Sequence, residues 1–407
     1  MKKLMILGAG IYQVPLIKKA REMGLYTIVV SYPGPYPGFA LGDECLYLDT
    51  TDGPAVLDAA RKLKIDGICT TGTDVAVSTI GLVAESLGLR GIPRKAALLA
   101  TDKLRMKEAF QKNGVKSAPF LKVSSLEEAK DAFQKLSKPV MVKAVDSSGS
   151  RGVSKVSTLS ELSAAYQASV KVSRQPYVIL EEFVDGTEIG VDGFVENGSV
   201  VLLLPHQKFV LTSGATSLPA GHAFPYPASE RLRSAIGHEI RKAVSALCLD
   251  NCAFNADVMV CGDTPFLLEM GGRAGATGIP ELVSLHCGFD FYRKMIENAL
   301  GETPDFACKI PKPCMSRLLF SPVDGTITRI DPSAIRQLTE EGADFSLDYR
   351  EGDPVSKVRN GTDRIGQVIL PSCSEPEMNA LIERLYAAVF VDGISLLERW
   401  EVCHEAV

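Results

Sequence analysis

The sequence predicts a multidomain protein that combines an α/β domain with α+β domains. The chain has 407 residues, and at about 150 residues per domain this length predicts two to three domains. Short apolar runs alternate with helical stretches up to about residue 91, a pattern typical of a parallel, doubly wound sheet. Paired strands with tight turns follow, and a third region of strands, turns and one helix comes last. We therefore expect domains at residues 1–91, 92–308 and 309–407.

The composition is that of a globular protein without a strong charge bias. Hydrophobic residues make up 46%, charged residues 23%, and the net charge is −5. These values exclude disordered and collagen-like chains and predict no general attraction to nucleic acid or to a membrane. The first apolar run is broken by Gly8, and no stretch approaches the ~20 apolar residues of a membrane span. The ten cysteines, Cys248 and Cys252 among them, form no C-x-x-C pair and are interpreted as buried thiols of a reducing cytoplasm.

A glycine turn, Gly8-Ala9-Gly10, follows the first strand of the first domain. Gln13 stands where a dinucleotide-binding fingerprint has its third glycine, and the second strand ends in Ser31-Tyr32-Pro33 without a carboxylate for a ribose hydroxyl. We interpret the glycines as a tight turn in a Rossmann-like domain, with an NAD site as the alternative. The predicted strands are Lys3–Leu7, Tyr26–Val30 and Gly67–Thr71, and the predicted helices are Val14–Met23, Gly53–Leu63 and Val75–Leu87.

The second domain begins with a helix that we expect Thr101 to cap and Gly114 to end. Its strands are predicted to form hairpins, with Asn197-Gly198 and Gly262-Asp263 as turns. The third region adds strands around Gly325 and a final helix. The other predicted strands are Pro139–Lys143, Tyr177–Phe183, Glu188–Glu196, Val200–Leu204, Ala253–Val260 and Pro265–Met270, and the other predicted helices are Ser229–Leu247 and Glu375–Val389.

Lys143 ends an apolar strand directly before a loop of small residues, 146–153. A lysine among apolar neighbours is costly to bury without an anion, and a phosphate would supply one. The loop offers backbone N–H groups and one cation, Arg151, to a polyphosphate. A Walker loop is excluded because its G-x-x-x-x-G-K-[ST] pattern is missing. A solvated hairpin tip remains the alternative.

Acidic residues bracket the turn after the next strand. The backbone beyond Glu181 offers hydrogen-bonding groups to an adenine edge, beside the apolar Phe183 and Val184. A carboxylate past the turn, Glu188, is placed to accept from both ribose hydroxyls. An ordinary acidic surface turn is the alternative.

Asp257 and Glu269 each interrupt an apolar strand. A hairpin that turns at Gly262-Asp263 places the two carboxylates opposite each other on one face. Facing carboxylates repel each other unless a cation lies between them. Oxygen ligands without a nearby histidine favour Mg²⁺ over zinc. Two unrelated acids on an exposed face are the alternative.

Four glycines surround Arg273 in the segment 271–278. Such a loop approaches a substrate closely and presents a guanidinium to a carboxylate or phosphoryl group, whereas a structural ion pair is the alternative. A second loop, 212–217, adds hydroxyls and is followed by His222. A lone histidine is more often a structural group, and we keep that interpretation for His222 and His206.

In this order, the parts resemble the ATP-grasp superfamily of carboxylate ligases. The resemblance is strong over residues 1 to about 305 and weaker over the last domain, which resembles the closing domain of amino-acid ligases and biotin-carboxylase-like members. It implies a Rossmann-like pre-ATP-grasp domain, an ATP-grasp domain of two subdomains with the lid at about 115–185, and a small C-terminal α+β domain. The motifs are Asp102-Lys103, Val142-Lys143, Ser147-Ser148-Gly149-Ser150-Arg151-Gly152, Glu181-Glu182-Phe183-Val184 with Glu188, Asn255-x-Asp257 and Glu269-x-x-x-Arg273.

The resemblance also implies residue roles. Arg273 and Lys143 would act in catalysis, and Asp257 and Glu269 would hold Mg²⁺ or Mn²⁺. Gly271 stands where the family often has an asparagine. ATP would be bound by Lys103, Lys143, Ser147, Ser148, Gly149, Arg151, Gly152, Glu181, Glu182, Phe183, Val184 and Glu188, and the substrate candidates are Gly214, Thr216, His222, Gly275 and Thr277.

The implied activity is an ATP-dependent ligation. The enzyme would phosphorylate a small-molecule carboxylate to an acyl phosphate and join it to an amine, in the cytoplasm and as a possible homodimer. The alternatives are a purine-pathway or carboxyphosphate-forming member that uses formate or bicarbonate, an NAD-dependent oxidoreductase, and a nucleotide sensor without turnover.

Overall fold

The computed structural model describes residues 1–405 except 148, 150, 214, 215, 360, 362 and 372, with backbone alone at 212, 213, 216, 217 and 401–405. The chain forms two compact units. The first comprises Met1–His206, Tyr226–Pro280 and Phe289–Ala307, and the second comprises Gln207–Pro225, Glu281–Gly288 and the chain from Cys308 onwards. No helix of the described residues is long and apolar enough to cross a membrane.

The elements alternate between helix and strand along most of the chain. The strands are β1 (Lys3–Leu7), β2 (Tyr26–Ser31), β3 (Glu44–Tyr47), β4 (Gly67–Cys69), β5 (Phe120–Val123), β6 (Val140–Ala144), β7 (Val153–Val156), β8 (Val178–Glu182), β9 (Thr187–Glu196), β10 (Ser199–Ser213), β11 (Thr216–Phe224), β12 (Cys252–Cys261), β13 (Thr264–Gly271), β14 (Cys314–Phe320), β15 (Gly325–Ile330), β16 (Asp344–Leu347), β17 (Pro354–Val355), β18 (Arg364–Pro371), β19 (Val389–Val391) and β20 (Ile394–Ser395).

The α-helices are α1 (Val14–Glu22), α2 (Gly53–Leu63), α3 (Val77–Leu87), α4 (Arg94–Ala100), α5 (Lys103–Lys112), α6 (Leu126–Lys135), α7 (Leu159–Val172), α8 (Glu230–Leu247), α9 (Ile279–Cys287), α10 (Phe291–Ala299), α11 (Pro332–Glu340), α12 (Glu375–Ala388) and α13 (Leu396–Glu405).

The chain begins with the predicted parallel sheet, in the order β3-β2-β1-β4. The side chain of Gln13 occupies the inside of the glycine turn after β1. Its Oε1 accepts from the Gly10 N–H at 3.0 Å, and its Nε2 donates to the Thr71 carbonyl at 2.5 Å. Gly8 has a φ of +101°, and a Cβ there would lie 2.9 Å from the Gln13 side chain. The segment is therefore a tight turn, as predicted.

Two further sheets complete the first unit. The order β5-β8-β6-β7 is antiparallel throughout, and its apolar side packs on α6 and α7. The other sheet has the order β13-β12-β9-β10, in which β12 is antiparallel to both neighbours. Its inward face, with Val191 and Phe254, joins α8 in the largest core of the unit. Asn197 and Gly198 adopt positive φ values of 49° and 75° and form the predicted hairpin turn.

The second unit is also mixed α/β. Its larger sheet follows the order β10-β11-β14-β18-β16, and a smaller one follows β17-β15-β19-β20. α12 supplies Met378 and Leu385 to the core of this unit. The predicted division at residues 91 and 308 stays a prediction.

Three local predictions are corrected by the structure. The cap of α5 is Asp102, whose carboxylate accepts from the next backbone N–H groups, while Thr101 ends α4; a carboxylate caps a helix at least as well as a hydroxyl. The ends of segment 212–217 are strand instead of loop, because β10 runs to Ser213 and pairs with Thr216 of β11; residues 214 and 215 lie outside the described residues. Cys248 is exposed at the left-handed end of α8, so only some of the cysteines are buried.

Candidate active site

One face of the β9-β12-β13 sheet carries a cluster of four polar residues, Asp192, Asn255, Asp257 and Glu269. Neighbouring strands pair Asp192 with Asn255, and Asp257 with both Gly190 and Glu269. Because side chains two residues apart point to the same side of a strand, these residues share one face. The opposite face is apolar and packed against helices, whereas Asn255, Asp257 and Glu269 on the polar face are only partly buried.

Asp257 and Glu269 lie directly opposite each other, as the sequence predicts. The register shifts after Asp257, where a β-bulge interrupts the ladder. Lys103 Nζ lies 3.2 Å from Glu269 Oε2 and balances one of the two charges. The start of α5 holds Lys103 there, since its N–H donates to the Val145 carbonyl at 2.8 Å.

Arg273 follows β13 and is held by residues from distant parts of the chain. Its Nη2 donates to Asp74 Oδ2 at 2.8 Å, and its Nη1 donates to Asn255 Oδ1 at 3.1 Å. A Cβ at Gly272 would overlap the Cδ1 atom of Ile92, so a larger residue next to the arginine would have to displace that side chain. The guanidinium is therefore fixed in orientation at the edge of the polar face. It forms the ion pair that the sequence analysis named as the alternative, and its substrate-facing role stays a prediction.

Asp192 stabilises this arrangement through hydrogen bonds. It is 1% exposed and accepts from Asn255 Nδ2 at 2.8 Å and from the Gly275 N–H at 3.2 Å. His206, which is fully buried, places Nε2 2.9 Å from Asp192 Oδ2. The His206 ring lies over Gly190, where any Cβ would overlap it. His206 is thus a structural histidine, as the sequence interpretation held.

The sequence analysis expected a phosphate as the partner anion of Lys143. In the structure, Lys143 already has a partner anion within the protein. Glu181, 1% exposed, forms ion pairs with Lys143 and with Lys107, the second at 2.8 Å. Burial alone would raise the pKa of the Glu181 carboxyl, but the two lysines outweigh it and lower the pKa to about 2. Burial lowers the pKa of Lys143, but the charge of Glu181, supported by Glu269 and Glu188, outweighs it and raises this pKa. Lys143 therefore lies within electrostatic reach of the polar face.

Lys107 is a residue that sequence reasoning missed. It is 2% exposed on α5, one turn after Lys103, and its Nζ also donates to Ser117 Oγ at 3.1 Å. Burial, more than any other effect, lowers its pKa. The spacing of four residues from Lys103 is the signal that places both lysines on one side of the helix.

The loop between β6 and β7 forms the tip of a hairpin and carries the predicted small residues. Lys103 Nζ donates to the Ser147 carbonyl at 2.7 Å, and Ser147 Oγ donates to the Arg151 carbonyl at 2.6 Å. Gly149 and Gly152 both have a φ of +67°, a conformation that favours glycine. Ser148 and Ser150 lie outside the described residues. The loop thus touches the site through Lys103.

Hydrogen bonds around β8 already engage some of the backbone groups that were predicted to bind adenine. The N–H groups of Glu182 and Phe183 donate to Pro119 and Pro139, each at 2.9 Å. The Glu182 carboxylate accepts from the Ser137 N–H at 2.9 Å, and its role in nucleotide binding stays a prediction. The backbone at Val184 and the half-buried Glu188 remain as candidates.

The predicted substrate residues fall into different units. Gly275 belongs to the first, where its N–H meets Asp192, and Thr277, with a φ of +58°, lies nearby in the chain. His222 lies in the second unit, buried in β11 and paired with Ser316 of β14, as expected of a structural histidine. Thr216 begins β11, and Gly214 lies outside the described residues. The substrate roles of these residues stay predictions.

The donor set at Asp257 and Glu269 fits a hard divalent cation. Two opposed carboxylates supply oxygen ligands of the kind that Mg²⁺ prefers. No cluster of three or more His, Cys, Asp or Glu side chains suited to a metal occurs among the described residues. Mg²⁺ usually retains waters and takes phosphate oxygens of a nucleotide as further ligands, so two protein carboxylates suffice.

Comparisons with known proteins agree with this geometry. Residues 101–277 match a family model described as Phosphoribosylglycinamide synthetase, ATP-grasp (A) domain. The crystal structure of phosphoribosylglycinamide synthetase from Anaerococcus prevotii is 28% identical, with a TM-score of 0.79, and the match covers 96% of this chain and 99% of that one. L-amino acid ligase from Bacillus licheniformis shares the fold at 23% identity, with a TM-score of 0.80 over 96% of this chain and 98% of that one.

A curated relative extends the comparison beyond solved structures. Formate-dependent phosphoribosylglycinamide formyltransferase from Herminiimonas arsenicoxydans is 25% identical over 345 residues, which is 81% of this chain and 81% of that protein. The matched segment 101–277 contains both opposed carboxylates, the paired lysines and Arg273. Residues 101–277 therefore match an ATP-grasp domain, and the resemblance of the chain to enzymes of this class extends over most of its length.

Proposed function

We propose that the polar face of β9, β12 and β13 is where this ligase transfers the γ-phosphoryl group of ATP to a small-molecule carboxylate. The observation that supports this most directly is the opposition of Asp257 and Glu269, with Lys103 and Arg273 beside them. A free carboxylate resists attack by an amine because oxide is a very poor leaving group. Phosphorylation converts that oxygen into phosphate, which leaves readily.

Lys103 and Lys143 are proposed to contact the phosphates of ATP. Each ammonium already has a carboxylate partner, so both are held in place before the nucleotide binds. Glu181 fixes Lys143, and Lys107 holds Glu181 from the other side. The Val184 backbone would meet the adenine edge, and Glu188 would accept from the ribose hydroxyls. The loop at 146–152 would close over the phosphates and exclude water, which hydrolyses acyl phosphates.

Asp257 and Glu269 would hold Mg²⁺ or Mn²⁺, with nucleotide oxygens and water as the other ligands. When bound, the cation would partly neutralise the charge of the phosphates. Asn255 and Asp192 orient Arg273, whose planar guanidinium is suited to two oxygens of the substrate or the transferred group.

The proposed reaction has two steps. A carboxylate oxygen attacks the γ-phosphorus, the bond to the β-phosphate oxygen breaks, and ADP leaves with the electron pair. The amine nitrogen then attacks the acyl carbon, the carbon–oxygen bond to phosphate breaks, and the amine releases a proton to solvent. The products are an amide, ADP and phosphate.

A second candidate uses formate or bicarbonate as the acid. The family match and the formate-dependent relative favour it. Both candidates share the first step and differ in the size of the acid. We also propose, from the sequence interpretation, a cytoplasmic location and a homodimer.

The test is ADP and phosphate release across a matrix of amino acids, small acids, formate and bicarbonate with amines. We expect release with at least one pair. Glu269→Ala and Lys143→Ala should each lower kcat at least about 100-fold while the far-UV circular dichroism spectrum stays unchanged. Thr339→Ala, an exposed change in the second unit, is the control. Full turnover in either site variant contradicts the assigned roles, and ATP binding without turnover of any pair favours a sensor.

A further inference from the structure

Two cysteines of the second unit lie at the points where the chain leaves that unit and returns to it. Glu281–Gly288 belongs to the second unit, Phe289–Ala307 belongs to the first, and the chain from Cys308 onwards is again part of the second. Cys287 is the last residue of α9, and Cys308 opens the returning segment. The two thiols therefore flank the whole of α10 in the sequence.

Contacts between the returning segment and the end of α9 bring the two cysteines side by side. The Lys312 N–H donates to the His286 carbonyl at 2.9 Å, and His286 Nδ1 donates to the Lys312 carbonyl at 2.6 Å. Cys308 Sγ lies 4.0 Å from the same His286 carbonyl. The thiols of Cys287 and Cys308 also share a hydrogen bond. The two sulfur atoms thus already meet in the folded chain.

Other thiols of the described chain have different surroundings. Cys314 Sγ donates to the Leu282 carbonyl at 3.4 Å, and Cys261 Sγ donates to the Asp185 carbonyl at 2.7 Å. A thiolate-bound metal normally takes three or four protein ligands, and the described residues contain no group of three or more His, Cys, Asp or Glu suited to a metal. Oxidation is therefore the chemistry that two adjacent thiols support.

The two thiols differ in accessibility, which sets the order of reaction. Cys287 is 4% exposed, and burial, helped by the adjacent Cys308, raises the pKa of its thiol. Cys308 is partly exposed and lies in a segment outside helices and strands. Because the thiolate is the reactive form and must be reached by the oxidant, Cys308 reacts first and Cys287 completes the bond.

We propose that Cys287 and Cys308 are a redox modification site, which forms a reversible disulfide when a small-molecule disulfide acts as the oxidant. The Cys308 thiolate attacks one sulfur of the oxidant, whose S–S bond breaks and releases one thiol. The Cys287 thiolate then attacks the Cys308 sulfur, a new S–S bond forms, and the second thiol leaves. The two cysteines are oxidised, the external disulfide is reduced, and the two cysteine protons pass to the released thiols.

The bond would close a ring of chain that contains α10. A disulfide restricts the unfolded chain, and here the folded chain already holds the two sulfurs together. We therefore expect the oxidised protein to melt about 3 °C above the reduced one. Disulfides of this kind in a reducing compartment are usually transient and respond to oxidants.

Disulfide mapping of the full chain tests the proposal. The protein is equilibrated in glutathione buffers from fully reduced to fully oxidised, free thiols are blocked with iodoacetamide while the chain unfolds, and a tryptic digest without reductant is analysed by mass spectrometry. Peptides 274–293 and 295–309 contain one cysteine each, and we expect them as a linked pair that dithiothreitol separates. Glutathione held at Cys308 while Cys287 stays a thiol overturns the proposal, as does a link from either cysteine to any other.

Three variants separate this pair from the other thiols. Cys308→Ser should abolish both the link and the rise in Tm, and Cys287→Ser should stop at glutathione bound to Cys308. Cys248→Ser, which removes an exposed thiol elsewhere, is the control and should retain both. Cys308→Ser carries the test alone if the buried change at Cys287 impairs folding. A linked pair without a rise in Tm, or a rise that persists in Cys308→Ser, contradicts a fold that accommodates the bond.

Discussion

Glu181 holds two lysines at once, and one of them belongs to the proposed phosphate site. The carboxylate lies on β8 between Lys107 and Lys143. Its removal would leave two buried ammonium groups facing each other, and breaking a buried ion pair in this way costs about 3–5 kcal/mol. The same residue was expected to serve adenine through its backbone, so the side chain adds a function that the motif alone does not reveal.

The pH dependence of stability should report on this carboxylate. Because the folded pKa of Glu181 is about 2 and the usual value is 4.5, its ionised form stabilises the fold above pH 4.5. That contribution, about 3 kcal/mol, is lost as the pH falls from 4.5 towards 2. In urea unfolding at pH 7, 5, 4 and 3, the difference between the wild type and Glu181→Gln should shrink below pH 4.5. A difference that stays constant down to pH 3 would rule out the ion-paired carboxylate.

Residue identity alone did not reveal the partners of Arg273. Its spacing from Glu269 and its glycine neighbours predict a substrate-facing loop. Asp74, 199 positions away in the sequence, contacts it only because the segments that follow β4 and β13 meet in the fold. The role of Asp192 is equally hard to predict, because an acidic residue in a strand of alternating polarity is normally expected to face solvent.

At the scale of single elements, the β6–β7 hairpin is the part that we expect to respond to a bound nucleotide. Its tip contains two glycines with positive φ and the exposed Arg151. Lys103 contacts the Ser147 carbonyl, so a phosphate bound at Lys103 also reaches the loop.

Trypsin cleavage after Arg151 should therefore depend on nucleotide. Exposed loop tips are preferred sites of proteolysis, and a ligand that holds the closed loop lowers the cleavable fraction. With saturating Mg-ATP, cleavage at this bond, followed by mass spectrometry, should slow about tenfold or more. Cleavage after Lys309, in an exposed segment outside helices and strands, is the internal control. Equal rates at Arg151 with and without Mg-ATP would exclude the lid role.

Most elements were predictable because their signals are local. The predicted bounds of β1 and α2 match the structure, and the turn at Gly262-Asp263 placed Asp257 opposite Glu269. The predicted cap at Thr101 was wrong because adjacent residues offer competing caps. The segment 212–217 was predicted as a loop, but its two ends belong to β10 and β11, which pair with each other. No alternation of apolar residues in the sequence marks this long hairpin.

At the scale of the whole molecule, ligand binding should stabilise the chain selectively. A ligand at about 100 times its Kd stabilises by about 2.7 kcal/mol, which shifts Tm by several degrees in a domain of this size. Mg-ATP should raise Tm in a fluorescence melt, and EDTA should remove most of the shift. NAD should have no effect, because Gln13 fills the glycine turn. An equal shift with NAD would revive the oxidoreductase alternative.

The order of the motifs along the chain predicted the class of enzyme better than any single motif did. The glycine turn, the acidic turn and the arginine loop each have ordinary structural explanations. Their succession after a Rossmann-like domain has no such ordinary explanation. The family match over residues 101–277 agrees with the class that this succession predicts. The acid and amine pockets depend on loop geometry, which is why their residues were the least predictable.

The overlap between position 190 and the His206 ring has an evolutionary consequence. Any side chain on β9 at that point must displace the imidazole, and the imidazole in turn meets Asp192. Homologous sequences should therefore vary the two sites jointly, with a larger residue at Gly190 tolerated only alongside a smaller one at His206. Such covariation would mark the lineages in which the bracing of the arginine loop has been rebuilt.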